Sequence, residues 1–107
     1  MSEENLAIIL KKLNRALKRL LGERLEAVYL YGSHARGDAR PDSDIDVLVV
    51  VKGDFNYFDM VQKVSRHTAK LSLEYETVIS CVYVTQDDYE HRHTPLLLNI
   101  HREGVAV

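Results

Sequence analysis

Apolar residues recur with a helical period at the start of the chain. Leu6, Ile9, Leu10, Leu13, Ala16, Leu17, Leu20 and Leu21 form one stripe of a helix predicted over residues 3 to 21. Ser2 is placed to cap it and Gly22 to end it. The period then changes to two. Leu25 to Tyr31 alternates, with Tyr29 and Tyr31 on one face and Val28 and Leu30 on the other, which predicts a strand. Ile45 opens a run through Val51 that is apolar on both faces from Val47 onward, the mark of a strand central in its sheet. The segment between the two strands leaves no room for a crossover helix, so they pair antiparallel or lie in a mixed sheet. Helical spacing returns from Phe55 to about Leu71, with Phe58, Val61, Val64 and Leu71 facing inward. Residues 74 to 84 alternate again and predict a third strand, with Glu76, Val78, Ser80, Val82 and Val84 on one face. Thr85, with Asp88 three residues on, begins a short helix or turn reaching about Arg92. Thr94-Pro95 starts a last helix, Gly104 ends it, and residues 105–107 form a short tail or strand. The whole predicts a two-layer α+β fold: a small mixed sheet with helices packed mainly on one face, in a single domain over residues 1-107.

The chemistry concentrates in the loop between the first two strands, Gly32-Ser33-His34-Ala35-Arg36-Gly37-Asp38-Ala39-Arg40-Pro41-Asp42-Ser43. It is too polar and too rich in Gly, Pro and Asp to be core. Gly32 lets the backbone bend sharply and approach a ligand. Ser33 offers a hydroxyl and a backbone N–H, both able to donate to a phosphate oxygen. Arg36 and Arg40 add positive charge. Beyond the loop, Asp44 and Asp46 stand two positions apart and project from one strand face as a pair. Like charges so close raise each other's pKa, and a divalent cation relieves the repulsion; Mg²⁺ takes one or two protein carboxylates and fills its shell with water and phosphate oxygens. A phosphate-binding turn opposite two metal-binding aspartates is the equipment of metal-assisted nucleotidyl transfer. A calcium loop is excluded: Asp42, Asp44 and Asp46 fit its opening, but Val47 stands where glycine is needed and Gly53 where a bidentate glutamate is needed.

Gly-Ser, ten residues, then Asp-x-Asp, flanked by Ala-Arg-Gly and Ser-Asp-Ile-Asp-Val, resembles the signature of the polymerase-β-like nucleotidyltransferase superfamily. At this length the chain resembles the minimal nucleotidyltransferases, MNT, that act as antitoxins beside a helical HEPN-domain toxin. The resemblance implies ATP as substrate, two Mg²⁺ ions (Mn²⁺ as a substitute), and transfer of AMP to a tyrosine of the HEPN partner, silencing its RNase activity. It implies phosphate binding by Gly32, Ser33 and Arg36 and metal binding by Asp44 and Asp46. The superfamily adds a third carboxylate, usually an aspartate on a later strand. The third predicted strand has no aspartate, so Glu76 is the candidate, as catalytic residue and third metal ligand, with Glu74 behind it. That departure keeps a second reading open: a catalytically inactive module of the same fold that neutralises its partner by docking alone.

Composition narrows the setting. A net charge of −2 and a pI of about 6.2 argue against a nucleic acid as the direct substrate. The outer face of the first helix carries Lys11, Lys12, Arg15, Lys18 and Arg19, which reads either as a solvated surface or as a contact for a nucleic acid or acidic partner. Cys81 is the only cysteine and reads as a small core hydrophobe; with no disulfide to form and no signal peptide pattern, a cytoplasmic location is expected. No apolar run approaches a membrane span. His34 reads as a loop residue beside Ser33, and His91-Arg92-His93 as exposed polar positions. Self-association would add to a small core.

Overall fold

The computed structural model describes residues 1–107. Helix α1 spans Glu3–Leu21; the Ser2 hydroxyl accepts the Asn5 N–H at 3.0 Å, and Gly22 closes the helix at φ 56°. Two glutamates in its first turn and Lys18 and Arg19 in its last oppose the helix dipole. A 3₁₀ turn, Gly22–Arg24, leads into β1, Leu25–Tyr31. A single helical turn, α2 (Ser33–Arg36), and a loop lead to β2, Ile45–Val51. Then follow α3 (Tyr57–Tyr75), β3 (Ile79–Thr85), α4 (Gln86–His91), α5 (Pro95–Glu103) and β4 (Val105–Ala106).

The sheet order is β3-β2-β1-β4. β1 runs antiparallel to both β2 and β4, whereas β2 and β3 are parallel. The sheet is therefore mixed, as the short β1–β2 connection required, and α3 supplies the long crossover that a parallel pair needs. β2 lies between two neighbours, and every one of its residues except Asp46 is fully buried. Ile45, Val47, Val49 and Val51 meet α1 and α3 through Ile9, Leu13, Leu17, Met60, Val64 and Leu71. Leu48 and Val50 meet Leu97 and Ile100 of α5 on the opposite face. The two long helices thus cover one face, and the short α5 covers part of the other. No helix is long and apolar enough to cross a membrane.

Two expectations are corrected. Residues 74 and 75 belong to the last turn of α3, and β3 begins only at Ile79. The alternation from Glu74 onward is compatible with a strand, but Leu71 and Tyr75, one helical turn apart, both pack against the core, and across the helix pair Lys12 of α1 donates to Glu74 at 3.1 Å and to the Tyr75 hydroxyl at 2.8 Å. The inward stripe of α3 is also rotated. Met60, Val64 and Leu71 are buried, whereas Phe58 is 67% exposed and Val61 38%. The helix starts at Tyr57 behind an Asn56 cap, and its packing on α1 and β3 sets the phase.

Glu76 ends α3 in the left-handed conformation, φ 51° and ψ 49°, the only non-glycine residue at positive φ. A side chain there costs roughly 1 kcal/mol that glycine avoids. Glu76→Gly is therefore expected to raise the unfolding free energy by about 1 kcal/mol in chemical denaturation.

Candidate active site

β1 delivers the chain to Gly32, whose φ of 76° and ψ of −154° suit glycine. Space makes a second demand: a Cβ at this position would lie 2.5 Å from the Asp46 carboxylate. The Gly32 backbone therefore packs directly on the acid that the sequence pairs with it. The chain then makes the single turn α2. The Ala35 and Arg36 amides both donate to the Gly32 carbonyl at 3.1 Å, and the Gly37 and Asp38 amides to the Ser33 carbonyl at 3.0 and 3.1 Å. The Ser33 and His34 amides lie at the open end of this turn, where helix geometry provides no internal acceptor.

The loop back to β2 closes on itself. The Arg40 amide donates to the Ser43 hydroxyl at 2.8 Å, and the Ser43 amide to the Arg40 carbonyl at 3.0 Å. The Ile45 amide then docks on the Val78 carbonyl at 2.8 Å and starts the parallel ladder. Asp44 remains exposed just before β2, while Asp46 is half-buried, registered with Tyr31 of β1 on one side and Ser80 of β3 on the other. Asp46 takes part in no ion pair. Burial, and then the charge of Asp44, push its carboxyl above the ordinary range, against the smaller pull of His34 and Arg36. The Tyr31 hydroxyl is raised as well, by burial and then by Asp46. A half-buried carboxylate with no cationic partner, beside a second carboxylate, is a donor set suited to a hard cation.

The other candidates divide. Ser33 opens α2 next to Gly32, and Arg36 ends it. The Arg36 guanidinium is shared between Asp38 at 3.3 Å and Glu103 of α5 at 3.6 Å, exposed pairs that orient it but add little stability. Glu76 does not join the pair. It caps α3 three residues before β3 begins, and Glu74 is engaged by Lys12. No group of three His, Cys, Asp or Glu side chains gathers anywhere in the chain. The residue level with Asp46 on β3 is Ser80, which lay on the expected face but four positions further on than Glu76. Only the end point of α3 separates the two assignments, and alternation does not mark it. Burial pushes the Cys81 thiol up to about 11, so it stays protonated and inert. His91 pairs with Asp87 at 3.1 Å on the surface.

The Nucleotidyltransferase domain family model matches residues 10–93. A Methanocaldococcus jannaschii protein, provisionally named a protein adenylyltransferase, is 36% identical over 72 residues, covering 67% of this chain and 72% of the relative. The fold is similar to that of a toxin–antitoxin complex solved with AMP-PNP (TM-score 0.66, 20% identity, 90% of this chain and 69% of that one). It is also similar to a chain in the complex of tri-AMPylated Shewanella oneidensis HEPN toxin with MNT antitoxin (TM-score 0.58, 19% identity, 99% and 71% covered).

Two expectations follow from the geometry. Gly32→Ala should lower stability by at least about 1–2 kcal/mol from its φ alone, and part of the total loss should vanish when Asp46 is also replaced by alanine. A double-mutant denaturation cycle reads the contact, and equal losses in both backgrounds would mean that Gly32 and Asp46 do not touch. Asp46→Asn should stabilise the free protein at pH 7. The raised carboxyl binds its proton more tightly folded than unfolded, so stability falls as pH climbs from the ordinary carboxylate range through the folded value. The gain over wild type should therefore be full at neutral pH, shrink as pH falls through the raised folded value, and be gone once pH is below the ordinary carboxylate range.

Proposed function

This chain belongs to the nucleotidyltransferase-domain family, and from that premise we propose that it transfers AMP from ATP to a tyrosine hydroxyl of a HEPN partner in the cytoplasm, acting as an antitoxin. The observation that carries the reading is the Asp46 carboxylate, half-buried, without a cationic partner and packed on the Gly32 turn. The names of similar proteins point the same way: a protein adenylyltransferase, and an MNT antitoxin bound to an AMPylated HEPN toxin.

In this reading Asp44 and Asp46 hold Mg²⁺. When bound, the ion neutralises phosphate charge and stabilises the attacking and leaving oxygens. The donor set fits: two carboxylates satisfy the protein share of a Mg²⁺ shell, leaving water and phosphate oxygens to complete it. The Ser33 hydroxyl and the open amides of α2 bind terminal phosphate oxygens. Arg36, steadied by Asp38 and Glu103, supplies positive potential beside them. The acceptor oxygen attacks the α-phosphorus, the bond to the β-phosphate oxygen breaks, and pyrophosphate leaves. The acceptor proton is not taken by Glu76, which stands at the end of α3; it passes to solvent, to phosphate or to a group brought by the partner.

The shortage of a third acid favours one other reading, a docking module of the same fold that neutralises its partner without chemistry. The two separate in one experiment. With ATP labelled at the α-phosphate, Mg²⁺ and the product of the neighbouring gene, label is expected on the partner. Asp44→Asn and Asp46→Asn should each cut it by roughly 100-fold or more, the scale of losing an electrostatic group in the transition state. A stable unlabelled complex would establish docking alone. Independently of turnover, ATP with Mg²⁺ should raise the melting temperature of wild type but not of Asp46→Asn.

A further inference from the structure

The overall charge of −2 conceals a strong separation. α1 and α3 carry eight of the chain's 14 lysines and arginines but four of its 16 acids, a net of +4, which leaves the rest at −6. The two helices lie side by side, and between them runs a groove of about 360 Å³. Lys12, Arg15 and Arg19 of α1 line one wall, and His67, Lys70 and Glu74 of α3 the other. Glu74 is the groove's only acid, and it is taken by Lys12 at 3.1 Å. Arg15, Arg19 and Lys70 form no ion pair. The groove also lies across the sheet from the aspartates. α1 and α3 pack on the Ile45 and Val47 side of β2, while Asp46 shares the side of Leu48 and Val50.

We propose that this groove binds the phosphate backbone of a nucleic acid. Guanidinium groups pair with phosphate oxygens in bidentate fashion, and such contacts need no apolar anchor. A protein helix does need one, because helix-in-groove docking rests on buried apolar side chains. Here the apolar lining is limited to Ala16 and Leu71, the latter already buried in the core. The cations run along the groove rather than meeting at one point: Arg15 and Arg19 stand one turn apart on α1, and Lys63, one turn before His67, precedes Lys70 on α3, which suits an extended polyanion more than a single small anion. Binding is independent of sequence and leaves the aspartate site free.

Fluorescence anisotropy with a labelled 20-nucleotide single-stranded RNA, and DNA of matching sequence, tests this with the full chain. Both are expected to bind at 50 mM NaCl with affinities within several-fold of each other. The three unpaired cations predict that log affinity falls against log salt with a slope of about −2 to −3. Arg15→Glu/Arg19→Glu should weaken binding more than 10-fold while Asp46-dependent labelling by ATP persists. Should that variant not fold, Arg15→Gln/Arg19→Gln carries the same expectation at smaller size. Glu74→Gln releases Lys12 and should tighten binding several-fold, an effect that a merely solvated helix surface would not show. Absence of binding at 50 mM NaCl, indifference to these substitutions, or equal competition by poly-glutamate per unit charge would overturn the proposal.

Discussion

One contact governs this small protein: the backbone of Gly32 against the carboxylate of Asp46. β2 runs through the centre of the sheet, and Asp46 is its only residue not fully buried. A charge at the mouth of so apolar a strand survives because the sheet ends there and the Gly32 turn folds over it without a side chain in between. The same turn opens α2, so Ser33 follows directly on the backbone that packs against Asp46. Burial and Asp44 together raise the proton affinity of Asp46. The protein thereby holds an unfavourable carboxylate pair whose cost a bound cation would remove, a stability sacrificed locally for a site.

The rest of the fold serves to hold that contact. α1 and α3 bury one side of β2, α5 the other, and the parallel β2–β3 ladder fixes Ser80 beside Asp46. Arg36 links α2 to the end of α5 through Glu103, so the last helix reaches back to the loop that begins the site. The site is short of acids, with Ser80 level with Asp46 where a carboxylate was expected. Chemistry at this site would therefore lean on the nucleotide's own phosphates and on whatever the acceptor brings.

Charge is distributed as unevenly as polarity. The two long helices hold eight of the 14 lysines and arginines but four of the 16 acids. Composition averages this contrast to near neutrality, so the total charge does not reveal a basic groove. Only the packing of α1 beside α3 turns two separate basic helix faces into one groove.

The sequence by itself determined the strand–turn–strand unit, the pairing of Asp44 with Asp46, the centrality of β2 and the mixed sheet. These depend on local rules: alternation, the conformational range of glycine, and a connection too short for a crossover. The family was legible for the same reason, because its signature lies within one stretch from Gly32 to Asp46. The tertiary structure decided where α3 ends and which of its faces is buried. From Leu71 to Val78 helical and strand periods both fit; in the fold the helix runs on to Tyr75, whose packing on the core and contact with Lys12, 63 residues away in the chain, exist only after α1 and α3 meet. Where α3 ends leaves Glu76 at its cap and Ser80 in register with Asp46. Long-range contacts of this kind leave no mark in local periodicity, since the energy that selects them resides in residues distant in sequence and adjacent only after folding.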